Sequence, residues 1–496
     1  MVVERVAAVD LGASNGRVVA VDFDGARLAL RETRRFVNAP IRLASGLHWD
    51  VPRLFAEVDA GLALLASERR PRSVGVDSWG VDFGLLDRDG ALLGLPYSYR
   101  DPRTQGVMEE TWRVVPRKDI FARTGVQFLP INTLYQLRAS RLAGTPPLDQ
   151  AATLLTIADL FHHHLSGARV CEATIASTTQ CYEPARGRWS TEILTALDLP
   201  IDIFPDVIEP GTTLGPIRHE IAGASDLRGI PVVAPGCHDT ASAVAATPLG
   251  SPAAAYISSG TWSLVGVELP MPNTSDAALE ANFTNERGVG GTYRFLRNVM
   301  GLWLFEECRR AWEANGVVGT ALGYDDVVAS AAAAKPFAAM FDPDDADLLS
   351  PGSMPRRIVA ACAALGYGTP ATDPGALTRV IFEALALRYR WILERITLIT
   401  GVTPATLHVV GGGARNVLLC QFTADACGIP VIAGPVEATS LGNAIVQLIA
   451  AGLVRSVKEG RELIRRSFPI TTYAPRDTAA WDDAYSRFSS ALAKRS

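Results

Sequence analysis

The sequence predicts an α/β protein of two similar domains around a central cleft, and three segments carry that expectation. Near the start, Val6-Ala-Ala-Val-Asp10-Leu-Gly12-Ala13-Ser14-Asn15-Gly16-Arg17 reads as an apolar strand ending on a lone acid, a turn of small residues, and a second strand to Phe23. Residues 253–268 repeat the design, with a Ser258-Ser259-Gly260-Thr261 turn between a small-residue strand and an alternating apolar one. Leu407-His-Val-Val410 runs into Gly411-Gly412-Gly413 and then a helical stretch. One hairpin in each half implies two related domains facing each other.

The turns suggest what lies between those domains. A Gly/Ser turn leaves backbone N–H groups pointing outward, a concave donor set that attracts phosphate oxygens, and glycine lets them come close. Asp10, at a strand end, is placed to reach magnesium through water. Three glycines at a strand–helix junction let a flat ring lie against bare backbone. Each pattern taken alone equally serves an ordinary hairpin or tight loop. All three in this order point to a nucleotide.

The remaining elements follow from punctuation. Strands at 6–12, 17–23 and 28–37 form a meander closed at Asp24-Gly25, and 52–67 reads as a helix. A buried strand at 73–77 leads to Trp79-Gly80, and 81–87 continues as strand. Residues 104–145 are mostly helical, and a second α/β stretch runs to about 245. Pro231-Val-Val-Ala-Pro235 delivers the chain to Cys237-His238-Asp239. The cluster Thr247-Pro-Leu-Gly-Ser-Pro252 marks a boundary, dividing the chain into domains 1–247 and 248–496. The second contains a helix at 376–399 and a C-terminal helical extension over 460–496.

Composition sets the limits. The chain has 496 residues, 48% hydrophobic and 20% charged, enough for two full cores. A net charge of -5 argues against a nucleic-acid partner, because no basic surplus exists to neutralise phosphates. No apolar run approaches a membrane span. The first strand begins close to Met1, which leaves no room for a signal peptide or a DNA-binding headpiece. Seven cysteines, odd in number and scattered, do not form a disulfide framework. The expectation is a cytoplasmic protein, monomeric or homodimeric.

Phosphoryl transfer to an alcohol needs a group to take the hydroxyl proton. Asp239 follows a strand end and opens the small-residue helix Thr240-Ala-Ser-Ala-Val-Ala-Ala246, whose positive end would face the phosphoryl group. Aspartate at that position equally serves as a helix cap. In Asp77-Ser-Trp79-Gly80-Val-Asp82, Gly80 would let a polyol approach the backbone and Trp79 offers a flat wall. A tryptophan buried after a core strand has the same signature. Tyr99, Asp101, Arg103, Gln127, Asn132 and Tyr135 are further sugar-side or lid residues. His162-His163-His164 cannot converge on a metal if helical, since adjacent residues point apart, and reads as a solvated or partly packed segment.

With these motifs in place, the chain resembles the FGGY family of carbohydrate kinases, built on the actin/hexokinase/Hsp70 (ribonuclease H-like) fold. The resemblance spans nearly the whole chain. Its segments are Asp10 to Arg17, Val76-Asp-Ser-Trp-Gly-Val-Asp-Phe83, Tyr99 to Thr104, Thr124-Gly-Val-Gln-Phe-Leu-Pro-Ile-Asn-Thr-Leu-Tyr-Gln136, His238-Asp-Thr-Ala-Ser-Ala-Val244, Ser258 to Ser263, Arg297-Asn-Val-Met-Gly-Leu-Trp303 and Asp425-Ala-Cys-Gly428. The details are most similar to the branch that phosphorylates L-rhamnulose at O1, with other ketoses or polyols (xylulose, fuculose) as the alternative.

The resemblance implies ATP as co-substrate with Mg2+, and Asp239 as proton acceptor. It implies Gly80, His238, Asp239, Thr240 and Asn298 at the sugar, and Ala13, Ser14, Asn15, Gly16, Arg17, Thr261, Glu306 and Gly412 at ATP. Two departures stand out. Glu306 occupies a position where that branch has a glutamine, and glutamate accepts but does not donate hydrogen bonds at neutral pH. Asn15 replaces the second of two serines, a mild change because asparagine tolerates turns. A filament-forming or chaperone ATPase would lack Asp239 with its sugar-side partners, and a sugar-sensing regulator would carry a DNA-binding module.

Overall fold

The computed structural model describes all residues except 1–2, 223–225, 252, 317–322, 350, 369, 371 and 495–496, so Pro252 of the expected boundary lies outside the described residues. The chain forms two compact units. The first gathers Met1–Pro248, Glu268–Leu296 and Glu437–Phe468, and the second Leu249–Val267, Arg297–Val436 and Pro469–Ser496.

The first unit is built on six strands: β1 (Glu4–Leu11), β2 (Asn15–Phe23), β3 (Leu28–Val37), β4 (Val74–Ser78), β5 (Thr213–Pro216) and β6 (Pro231–Val233). They lie in the order β5-β6-β4-β1-β2-β3. The β1–β2–β3 meander is antiparallel, whereas β4 runs parallel to β1 after the helix Val51–Glu68. β1 and β4 are apolar on both faces because both are covered, and Val6 to Val9, Val74 and Val76 are fully buried. The expected strand at 81–87 is shorter, Phe83–Leu86, because residues 79–82 make a turn with Val81 at φ 69°.

Two helices back this sheet. The helix Asp239–Ala246 packs against Ala438–Ala450, and a Cβ added at Gly442 would fall 1.7 Å from the Ser242 carbonyl oxygen. Only glycine permits that approach. The strand Thr284–Arg287 pairs antiparallel with residues 293–296, completing the unit beside His238.

A seven-stranded sheet has Thr284–Arg287 at its edge, followed by β7 (Ala254–Ser259), β8 (Trp262–Leu269), β9 (Tyr293–Met300), β10 (Thr406–Val410), β11 (Val431–Ala433) and β12 (Thr471–Tyr473) in the order β9-β8-β7-β10-β11-β12. The long helix Pro374–Thr400 starts at an Asp373 side-chain cap and ends at Gly401 in the left-handed conformation, as a C-terminal glycine should. The expected helical extension over 460–496 is corrected. Helices Val457–Ser467 and Thr478–Ala493 are separated by β12, where Thr471-Thr472-Tyr473 supply β-branched and aromatic side chains and pair with β11. No helix among the described residues is long and apolar enough to cross a membrane.

Candidate active site

Register places the first group of charges. Asp10 and Arg17 face each other across the β1–β2 hairpin, and Asp10 and Asp77 are partners in the parallel β1–β4 pair. Arg17 donates to both Asp10 and Glu437, and the Ser440 hydroxyl donates to the same Asp10 carboxylate at 3.1 Å. Asp77 is fully buried. One of its oxygens accepts from Asn443 Nδ2 at 2.6 Å and the other has no partner. Burial, reinforced by the Asp10 charge, pushes its carboxyl well above the usual range.

The first turn owes its glycines to packing. A Cβ at Gly16 would strike the Phe36 ring at 2.3 Å, and one at Gly12 would sit 3.1 Å from the Asn15 carbonyl oxygen. Asn38 ties the turn's carbonyls, its backbone N–H donating to Ser14 at 3.0 Å and its side chain to Gly12 at 2.8 Å. Asn15 accepts from Arg35 at 3.1 Å through its side-chain oxygen.

The end of β4 leads directly to Asp239. The Ser78 N–H donates to the Cys237 carbonyl at 2.9 Å, and Ser78 bridges to His238. His238 holds the cap position of the next helix, and Asp239 is its first helical residue. Its carboxylate accepts from the Thr240 hydroxyl at 3.0 Å, and 31% of its side chain stays exposed. Burial of the carboxylate among protein groups raises its pKa, His238 opposes the shift, and Asp10 reinforces it.

His238 is itself held from behind. Arg294, fully buried, lies 3.1 Å from Nδ1 and 3.0 Å from Glu286. Glu286 is 3.2 Å from the same ring nitrogen. Nδ1 thus lies between a donor, Arg294, and an acceptor, Glu286, while Nε2 faces Asp239 at 3.5 Å. Glu172 supports the same segment. Its carboxylate accepts from the Cys237 N–H at 3.0 Å, the Thr174 N–H at 2.9 Å, the Thr174 hydroxyl at 2.5 Å and the Ile175 N–H at 3.3 Å. Thr174 in turn accepts from the His238 N–H at 3.2 Å. Burial pushes Glu172 up to about 7 despite these bonds.

Of the two expected readings of the histidine triplet, solvated or partly packed, the structure shows the packed one. His162 and His163 are buried in the helix Ile157–Ser166, and His164 stacks on Phe55 and pairs with Asp59 at 3.0 Å. His162 does not act with its neighbours; it sits with Asp159 and Cys237. Its Nε2 accepts from the Val76 N–H at 3.1 Å, so its proton sits on Nδ1, the atom facing Asp159 and Cys237. A protonated nitrogen cannot ligate a metal, and the cluster is a structural network.

Over Gly80, a Cβ would meet Thr178 Oγ1 at 2.9 Å, so protein packing already demands glycine there. The adjacent Trp79 is buried, as are Tyr99, Asp101, Gln127, Asn132 and Tyr135. Asp101 accepts from the Leu47 N–H at 2.7 Å, and Arg103 from the same segment donates to Gln136. These two hold loops together.

In the second unit, the Ser258–Thr261 turn is clamped from one side. The N–H groups of Gly301 and Trp303 donate to the Thr261 carbonyl, and that of Leu302 to Gly260. The three glycines differ in purpose. Gly411 and Gly413 press on Ser259, where an added Cβ would fall 2.8 Å and 2.0 Å from its atoms, while Gly412 faces open space. Glu306, in the first turn of the helix Trp303–Ala314, pairs with Arg309 at 3.2 Å. Arg309 lies over the Tyr324 ring, whose hydroxyl accepts from Asn416 at 3.0 Å, so Glu306 stands beside a polar group that follows the glycines. Asn298 lies half-buried on β9.

Glu172, Glu286, Arg294, Glu437, Ser440 and Asn443 were missed in the sequence. For Ser440 and Asn443 a signal exists: with Gln447 they mark one stripe on an otherwise apolar helix, and all three are buried and hydrogen-bonded. Glu286 and Arg294 are ordinary charged strand residues until register pairs them.

Fold and site define a carbohydrate kinase. The N-terminal domain of the FGGY family of carbohydrate kinases matches residues 6–246, and its C-terminal domain matches 255–451. The chain belongs to that family. It is 41% identical to the rhamnulokinase of Bacteroides thetaiotaomicron over 97% of this chain and 98% of that one. It is 42% identical to the rhamnulokinase of Pectobacterium carotovorum over 98% and 96%. Among solved structures it resembles a gluconate kinase from Lactobacillus acidophilus (TM-score 0.80, 16% identity, 99% and 97% covered). Plasmodium falciparum glycerol kinase with ADP is also similar (TM-score 0.78, 14% identity, 99% and 98% covered).

Proposed function

We propose that this chain transfers the γ-phosphoryl group of ATP to the O1 hydroxyl of L-rhamnulose, giving L-rhamnulose 1-phosphate and ADP in L-rhamnose breakdown. The observation that carries this reading is Asp239: a carboxylate partly open to solvent and backed by His238. Likeness to rhamnulokinases along nearly the full chain supports the choice of sugar.

In this reading Asp239 accepts the O1 proton as the hydroxyl attacks, with His238 Nε2 standing 3.5 Å from the same carboxylate. His238, Thr240, Gly80 and Asn298 orient the ketose. Ala13 to Arg17 and Thr261 hold phosphates, while Gly412, the glycine with open space above it, accepts the adenine side. Glu306, an acceptor only, takes a ribose hydroxyl or water.

The carboxylates of Asp10, Asp77 and Asp239 are hard oxygen donors, and Ser440 and Arg17 already hold one side of Asp10. That set fits a magnesium ion held by Asp10 through water and by the nucleotide's phosphates. The ion would neutralise charge on the transferring group. The proposed setting is the cytoplasm, which agrees with seven free thiols.

The test is a coupled ADP-release assay over a panel of ketoses with Mg-ATP. Turnover highest with L-rhamnulose and a product phosphorylated at O1 supports the reading. A preference for xylulose or fuculose overturns the choice of sugar.

A further inference from the structure

Resting on that reading, we infer that Asp82 is a positioning residue for sugar specificity. It binds no sugar itself; it fixes the aromatic wall against which the apolar face of a deoxy ketose is recognised.

Asp82 is fully buried. One oxygen accepts from Trp49 Nε1 at 2.6 Å, Trp79 Nε1 at 3.0 Å and the Tyr99 N–H at 3.1 Å. The other accepts from Gln136 Nε2 at 2.8 Å. Three donors crowd one oxygen, and full burial keeps the carboxylate from a sugar hydroxyl.

Two of the four donors are indole N–H groups and a third is the Tyr99 backbone N–H. Trp49 and Trp79 lie with centroids 4.5 Å apart, and Trp49 and Tyr99 6.4 Å apart. Gln136 is fixed in turn by Arg103, which donates to its side-chain oxygen at 2.8 Å. A buried charge without a direct cationic partner is costly, and burial pushes this carboxyl up to about 6. Apolar packing would hold the rings in place at lower cost but would not fix their orientation.

Two independent observations tie this wall to a ligand. Tyr99 is 5% exposed, and its hydroxyl is buried without a hydrogen-bond partner, which a polyol would supply. Val81, β-branched and at φ 69°, is strained, a condition kept only where the surroundings over-determine it. Its N–H donates to Thr178 at 3.3 Å, and its carbonyl accepts from Thr133 at 2.6 Å and Gln136 at 3.3 Å. The strained turn follows Ser78, which bridges to His238, so the wall abuts the segment that carries Asp239.

The test uses the full-length chain and its Asp82→Asn variant, which keeps the shape but turns an acceptor into a donor. KM and kcat are measured for L-rhamnulose, its 6-hydroxy counterpart and ATP, with thermal melting alongside. The expected result is a KM for L-rhamnulose raised roughly ten-fold or more, weaker discrimination against the 6-hydroxy sugar, and an unchanged KM for ATP. A folded variant with unaltered sugar KM and discrimination overturns the inference. Should D82N not fold, Trp79→Phe keeps the ring and removes one donor, and the same two outcomes decide. Wild-type protein that releases no ADP with any ketose sinks the parent reading instead. Sugar quenching of tryptophan fluorescence needs no turnover and still decides this one: a roughly ten-fold weaker dissociation constant in D82N supports it, and an equal one overturns it.

Discussion

Arg17 stands directly across the β1–β2 ladder from Asp10 and donates to its carboxylate while also holding Glu437. A cation read in the sequence as a phosphate contact is therefore also the counter-ion for two acids. Without it, Asp10 would face Asp77 uncompensated. Charge-assisted bonds of this kind contribute about 1.5–3 kcal/mol. Arg17→Gln is expected to lower kcat/KM for ATP by roughly ten- to hundred-fold, measured by ADP release at saturating sugar. Glu437→Gln, which leaves the Asp10 contact intact, should have a smaller effect.

Asp239→Asn should retain sugar binding and lose roughly 10²–10⁴-fold in kcat, the contribution of a positioned general base. In the proposed mechanism the rate needs the ionised form. Because burial raises the Asp239 pKa, kcat/KM should fall with decreasing pH at values above the ordinary aspartate range of about 3.9, and the Asn variant should lack that limb. A pH–rate profile of both proteins checks this.

Glu172 offers a stability test. Its folded pKa, about 7, lies above the unfolded value, so its stabilisation is complete below the unfolded pKa and fades as pH rises through about 7. Melting curves of wild type and Glu172→Gln from pH 5 to 8 should show the wild type losing ground by roughly 1–3 kcal/mol across that window. The variant should also lower kcat more than sugar KM, because Glu172 holds the backbone at Cys237 and touches no substrate in the proposed mechanism.

The triple glycine separates packing from binding. Gly412→Val should melt like wild type and raise the KM for ATP, since its Cβ meets open space. Gly413→Ala drives a methyl into Ser259 and should cost about 1–3 kcal/mol of stability, read by thermal unfolding.

Much of the fold was readable along the chain. The strand at 28–37 coincides with its expectation, and the helix expected at 376–399 spans 374–400, because alternation and apolar periodicity are local properties. The first phosphate-type hairpin and the helix opened by Asp239 were readable for the same reason. What stayed hidden is register. Nothing local says that Arg294 meets His238 and Glu286, or that Asn443 reaches Asp77 across 366 positions. Two glycines also carry a packing demand that no local pattern shows: an added Cβ would meet Phe36 at Gly16 and Thr178 at Gly80.

The contact of Gly442 with the Ser242 carbonyl has a further consequence. The base-bearing helix and the helix that steadies both β-strand aspartates cannot slide past each other without collision, so they travel as a single keel. Evolution toward another ketose has little freedom at the proton acceptor itself. Retuning would fall on the loops around Trp79 and Tyr99, which can be rewritten while the keel stays as it is.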